Sequence, residues 1–135
     1  MSIDIPNIYK FSIISLSVGI AVGLIISIIN LEPALGQPKI SSISIVKGAS
    51  NPSITEPYNP SPVTVSVGTT VVWTNNDSTG HTVTEGNPSG TAPPNGFDSG
   101  ILAPGKTFSH NFGTAGATQY YCTLHPTMLG KILVK

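Results

Sequence analysis

Charge is scarce in this chain. Only 9% of its 135 residues are charged, six basic against six acidic, so the formal net charge is zero. A chain without a basic stripe has no electrostatic footprint for nucleic acid. No block of like charge marks a disordered tail either, and 39% of the residues are hydrophobic. There is one cysteine, Cys122. That excludes an internal disulfide framework and any zinc or iron–sulfur site built from several thiolates. Glu56, Glu85 and Asp98 are too scattered to form a catalytic carboxylate pair. No Ser/His/Asp order, glycine-rich phosphate loop or aromatic-basic patch is present. Enzyme chemistry is therefore not expected. What the chain has in quantity is glycine and proline, 14 and 12 residues. These are turn formers and suit an all-β domain better than a helical bundle.

One long apolar run stands apart. Phe11 to Leu31 carries no charge, with Lys10 before it and Glu32 after it. As a helix it would span roughly 31 Å, close to the hydrocarbon thickness of a bilayer. Two readings compete. An uncleaved anchor would place Lys10 inside and the remainder outside. A signal peptide would be cut after Ala34-Leu35-Gly36. Residues 1–36 are thus an anchor or a signal peptide, and residues 37–135 one exported domain. The expected location is the outer face of the cytoplasmic membrane, or the periplasm or medium if the segment is removed.

After Gln37 the texture changes to short β-rich runs between turn clusters. Ile43 and Ile45 alternate with serines in a first strand, Ile40–Val46. Lys47–Pro62 reads as a loop, because Pro52, Pro57, Pro60 and Pro62 block regular structure. Strands follow at Val63–Val67, Thr70–Asn75 and His81–Glu85, then a loop over Gly86–Gly96 and a short edge strand within Phe97–Leu102. Thr107–Phe112, Thr118–Cys122 and Gly130–Lys135 complete the pattern. About eight short strands at regular spacing predict a Greek-key β-sandwich, preceded by one N-terminal hydrophobic helix.

The chemistry concentrates near the C-terminus. Cys122, His125 and Met128 lie within seven residues, and His81 opens an upstream strand. One thiolate, two imidazoles and one thioether make up the donor set of a blue copper site. Thiolate and thioether favour Cu(I), while imidazole accepts both oxidation states. Each residue also has a plainer reading. Cys122 alone could be a buried apolar residue or an intermolecular disulfide partner. His81 alone could be a turn residue, and Met128 alone a core residue. His110 falls on the face of Phe108 and Phe112, where a packed, hydrogen-bonded core histidine is expected.

Three stretches carry a resemblance: VSVGTTVVWTNND at Val65–Asp77, HTVT at His81–Thr84, and LAPGKTFSHNFGTAGATQYYCTLHPTMLGKILV at Leu102–Val134. Together they resemble the cupredoxins of the plastocyanin/amicyanin type. The short Cys-x2-His-x2-Met loop is similar to that of amicyanin. The hydrophobic N-terminus is similar to that of membrane-associated copper proteins of archaea. The resemblance implies a monomer holding one type 1 copper ion, with His81, Cys122 and His125 equatorial and Met128 axial. It also implies that the protein passes single electrons between redox protein donors and acceptors, such as membrane respiratory complexes. His125 would sit at the solvent edge in an apolar docking patch drawn from Leu124, Pro126 and Leu129, and Tyr121 would offer a second exit for the electron. One departure stands out: many relatives have Asn after the first histidine, where this chain has Thr82. The alternative function for the same donors is an exported copper carrier that delivers its metal to an acceptor.

Overall fold

The structure is a computed structural model and describes residues 36–90 and 92–135. The hydrophobic run Phe11–Leu31, and with it the expected N-terminal helix, lies outside the described residues. Among the described residues there is no helix, and none therefore long and apolar enough to cross a membrane.

Eight strands form two four-stranded sheets. The first sheet contains β1 (Ile40–Ile45), β2 (Tyr58–Asn59), β4 (Thr69–Asn75) and β6 (Thr107–Phe112), in the order β2-β1-β4-β6. The second contains β3 (Val63–Val65), β5 (Thr84–Glu85), β7 (Gly116–Tyr121) and β8 (Leu129–Val134), in the order β3-β8-β7-β5. Both sheets are mixed: β1 runs parallel to β4, and β3 parallel to β8, while the remaining pairs are antiparallel. The chain changes sheet at every connection from β2 to β7, which fits the expected Greek-key sandwich.

The alternation seen in the sequence decides which side chains meet between the sheets. In β1, Ile43 and Ile45 are buried and the intervening serines are not. In β4, Thr69, Val71, Trp73 and Asn75 face inward. Trp73 is the centre of the core. Its ring lies 5.8 Å from Phe97, 5.8 Å from Phe108 and 5.4 Å, edge-on, from Tyr120. Such off-parallel pairs suit the aromatic quadrupoles and add to the burial itself.

Three expectations change. The loop Lys47–Pro62 contains a two-residue strand, β2, because Tyr58 is an apolar anchor that the prolines concealed; it is fully buried and pairs opposite Ile45. His81–Glu85 is a ladder strand only at Thr84–Glu85. The amides of Thr82 and Val83 go instead to side chains, Cys122 Sγ and Ser99 Oγ. Phe97–Leu102 is no strand. It touches the His81–Glu85 segment through isolated bridges at Asp98 and Leu102, and Gly100, with φ of 60°, breaks the run between them. His110 lies 4.7 Å from Phe97 and 4.9 Å from Phe112 by ring centres, but it is half-buried at the edge of the core rather than within it, and its ring makes no hydrogen bond among the described residues.

Gly130 on β8 stands directly opposite Tyr120 on β7. The Tyr120 ring lies where a Gly130 side chain would project, so an added Cβ would collide with its phenol carbon and oxygen. Gly130→Ala is expected to destabilise the domain by ~1–3 kcal/mol or more, the range for overpacking a filled core. Urea unfolding of the metal-free protein measures it.

Candidate metal centre

Cys122 follows directly on β7 and continues its alternation, so its thiol points inward beside Tyr120 and is fully buried. The chain then makes two successive turns. The His125 amide donates to the Cys122 carbonyl at 3.3 Å, and the Met128 amide to the His125 carbonyl at 2.9 Å. The Cys122 amide donates to the Met128 carbonyl at 3.2 Å, tying the two ends of the loop together. A three-residue spacing closed by turn bonds brings each of Cys122, His125 and Met128 back to the same end of the sandwich. Met128 is buried and His125 half-buried.

His81 arrives from the other side. Its backbone exchanges two hydrogen bonds with Leu102, at 3.2 and 2.7 Å. Its Nδ1 lies 3.9 Å from Cys122 Sγ, and His125 Nδ1 lies 3.6 Å from the same sulfur. The donor atoms of His81, Cys122 and His125 all fall within 4.8 Å of one another. The structure thus converges three of the four expected ligand side chains and places the fourth, Met128, on the closing turn of the same loop. His110 does not belong to this cluster.

The chemistry of the donor set fits a copper ion. The thiol is free, with no disulfide. The His81 ring is already in the tautomer a metal requires, because its Nε2 lies 2.8 Å from Asp77 Oδ2. An ionised carboxylate only accepts, so Nε2 carries the proton and the Nδ1 lone pair faces the cluster. Asp77 is itself well held. Its Oδ1 accepts from the amides of Gly48 at 2.9 Å and Ser78 at 2.8 Å, and its Oδ2 from the Thr79 hydroxyl at 3.0 Å. Burial pushes its pKa up, but these bonds and the His81 contact outweigh burial and hold the carboxyl well below the usual range.

Thr82, the departure noted in the sequence, proves to be a clamp. Its amide donates to Cys122 Sγ at 3.3 Å, and its hydroxyl accepts the Thr123 amide at 2.8 Å. Hydrogen bonds therefore join Thr82 to both residues of the Cys122–Thr123 peptide. The Lys47–Pro62 segment supports the same place from below, through the Gly48 amide on Asp77 and the Tyr58 hydroxyl, which donates to the Thr82 carbonyl at 2.6 Å. Burial holds that phenol far above its usual pKa, with the Cys122 thiol adding to the effect. Asp77 and Tyr58 were not legible as site residues. A clue to Asp77 was its position four residues before His81 in a turn rich in Asn and Asp.

Around the cluster, Leu124 and Leu129 are 48% and 54% exposed, and Pro126 is exposed. These are the residues expected to form an apolar rim. Ile101, 69% exposed, is a further apolar residue at this end, lying against Gly80. Tyr121 faces outward, paired with Leu129.

Fold and site together define a copper protein of cupredoxin type. The family model for copper-binding proteins of the plastocyanin/azurin family matches residues 46–135. The chloroplast plastocyanin of Tetradesmus obliquus is 33% identical over 84 residues, 58% of each chain. An amicyanin from Paracoccus versutus is 32% identical over 73 residues, 54% of each chain. The chain thus spans little more than half the length of these two relatives. A solved purple cupredoxin from Nitrosopumilus maritimus superposes with a TM-score of 0.63 at 33% identity, covering 70% of this chain and 99% of that one. The chain belongs to the plastocyanin/azurin family of copper-binding proteins, and its cofactor is copper.

Asp77→Ala is expected to weaken copper binding by about 10–100-fold, because the His81 ring loses the partner that orients it. Competition against a copper chelator measures this. The stabilisation from Asp77 has a set pH sense. The native carboxyl is depressed, so its contribution is complete above the ordinary value of 3.8 and is lost as pH falls below it. The stability gap between parent and Asp77→Ala, followed by acid titration of the metal-free proteins, is expected to close in that direction.

Proposed function

We propose that the protein is a single-copper electron carrier, with His81, Cys122, His125 and Met128 as its ligands. The observation that carries this reading is the convergence of one buried thiol and two imidazoles within 4.8 Å, on segments fixed by hydrogen bonds. A bound copper ion supplies one-electron chemistry by alternating between Cu(II) and Cu(I).

The protein's part is to keep the donors still and dry. His81 and Cys122 are fully buried, and Met128 is 1% exposed. Asp77 retains the proton on His81 Nε2, and the Thr82 amide holds the sulfur in place. A donor set that does not have to rearrange favours rapid electron exchange over metal release. Burial of the ligands weighs against the delivery reading for the same reason, since an acceptor would need direct access to them.

His125 is the half-buried ligand and gives the electron its shortest route out, amid Leu124, Pro126 and Leu129. Redox partners would dock on this rim by apolar contact, consistent with a chain of zero formal net charge. Tyr121, outward-facing and next to Cys122, provides a second route. Residues 1–36 would export the domain and, if retained, tether it to the outer face of the membrane.

Two substitutions test the assignment. Cys122→Ser is expected to abolish the intense blue absorption of the copper-loaded protein, because the thiolate is the charge-transfer donor. Met128→Leu is expected to retain copper but raise its reduction potential, measured by voltammetry. An intense blue band surviving in Cys122→Ser would overturn the ligand assignment.

A further inference from the structure

The Thr82 hydroxyl belongs to a longer chain that ends at the surface. It lies 3.0 Å from the Thr84 hydroxyl and 3.2 Å from the Thr123 hydroxyl, besides accepting the Thr123 amide at 2.8 Å. The Thr84 hydroxyl in turn donates to Asp98 Oδ1 at 3.2 Å, and the Gly100 amide donates to the same oxygen at 2.9 Å. Asp98 is exposed, whereas Thr82 and Thr84 are buried.

The direction of every proton in this chain follows from its end. A hydroxyl has one proton to donate and two lone pairs to accept with. Thr84 gives its single proton to the Asp98 carboxylate, so between Thr84 and Thr82 it can only accept. Thr82 must then donate to Thr84. That leaves both Thr82 lone pairs free for the amide and hydroxyl of Thr123. The amide that anchors the residue after Cys122 thus has a dedicated acceptor.

We infer that Asp98 is a remote positioning residue for the metal centre: through the oriented hydroxyls of Thr84 and Thr82 it fixes Thr123, and with it the hydrogen bond from the Thr82 amide to Cys122 Sγ. Without the carboxylate, the Thr84 proton is free to turn toward Thr82, where it competes with the amide and the hydroxyl of Thr123 for the two Thr82 lone pairs. The two ligand-bearing segments then loosen, and the amide hydrogen bond to sulfur weakens. That bond stabilises the more electron-rich, reduced site, so its weakening lowers the reduction potential.

A plain Coulomb effect has the opposite sign. Removing a negative charge near the centre makes reduction easier and raises the potential. The inference rests on the copper reading for its potential but not for its amide readout, and the experiment uses both. Asp98→Ala, Asp98→Asn and Thr84→Val are made in the full chain. Amide hydrogen exchange of Thr123 is measured without metal, and the reduction potential with copper. Asp98→Ala is expected to speed Thr123 exchange roughly five- to tenfold, the loss of about one hydrogen bond, and to lower the potential, whereas Thr84→Val removes the competing proton and is expected to keep exchange slow. Asp98→Asn keeps an oxygen that accepts from Thr84 and is expected to restore slow exchange. Unchanged Thr123 exchange in Asp98→Ala overturns the inference, as does fast exchange in Thr84→Val. So does an equal rise in potential in both Asp98 variants. If no copper chromophore forms in the parent, the electron-carrier reading fails, and Thr123 exchange in the metal-free protein still decides the inference.

Discussion

The metal centre depends on the contact between Thr82 and the Cys122–Thr123 peptide. The two segments are 41 residues apart in sequence and follow separate paths through the sandwich, and His81 and Cys122 meet where Thr82 binds Cys122 through its amide and Thr123 through its hydroxyl. The contact is made by the hydroxyl and the amide of one threonine. Its hydroxyl has one proton to direct, which makes its neighbours matter. Thr84 and Tyr58 both act on Thr82, one on its side chain and the other on its carbonyl.

The sandwich supplies rigidity below this contact. Trp73, Tyr58 and Tyr120 fill the space under the site, and Tyr58 meets Tyr120 edge-on at 4.9 Å. Close packing of large rings leaves the backbone little room to shift, so short turns at one end can hold donor atoms in place. Function then concentrates in the loops that this scaffold carries. One loop brings Cys122, His125 and Met128, a second turn brings Asp77 and His81, and the strap from Lys47 to Pro62 buttresses both. Exposed apolar residues of the ligand loop and its flank, Leu124 and Leu129, accompany them.

Much of this was legible in the residues. Period-two alternation located β1, β4, β6, β7 and β8 because each has one buried face and one exposed face. The donor set was legible because soft and borderline ligands are rare in this composition, and three of them fall in one seven-residue string. Where prediction failed, backbone groups had left the ladder for side chains. His81–Val83 has the composition of a strand, but the amides of Thr82 and Val83 bond Cys122 Sγ and Ser99 Oγ. Phe97–Leu102 is broken by a left-handed glycine. Asp77 and Tyr58 matter through single long-range hydrogen bonds, and such bonds leave no periodic trace in a sequence.

The central claim is that the donors are held so firmly that copper changes oxidation state without leaving. The most direct measurement is the visible spectrum of the full chain with one equivalent of Cu(II), followed through repeated reduction and reoxidation in the presence of a Cu(I) chelator. The account predicts an intense blue band that bleaches on reduction and returns to full height each time. Progressive loss of the band, with copper appearing on the chelator at each reduction, would contradict it and assign the protein to copper delivery.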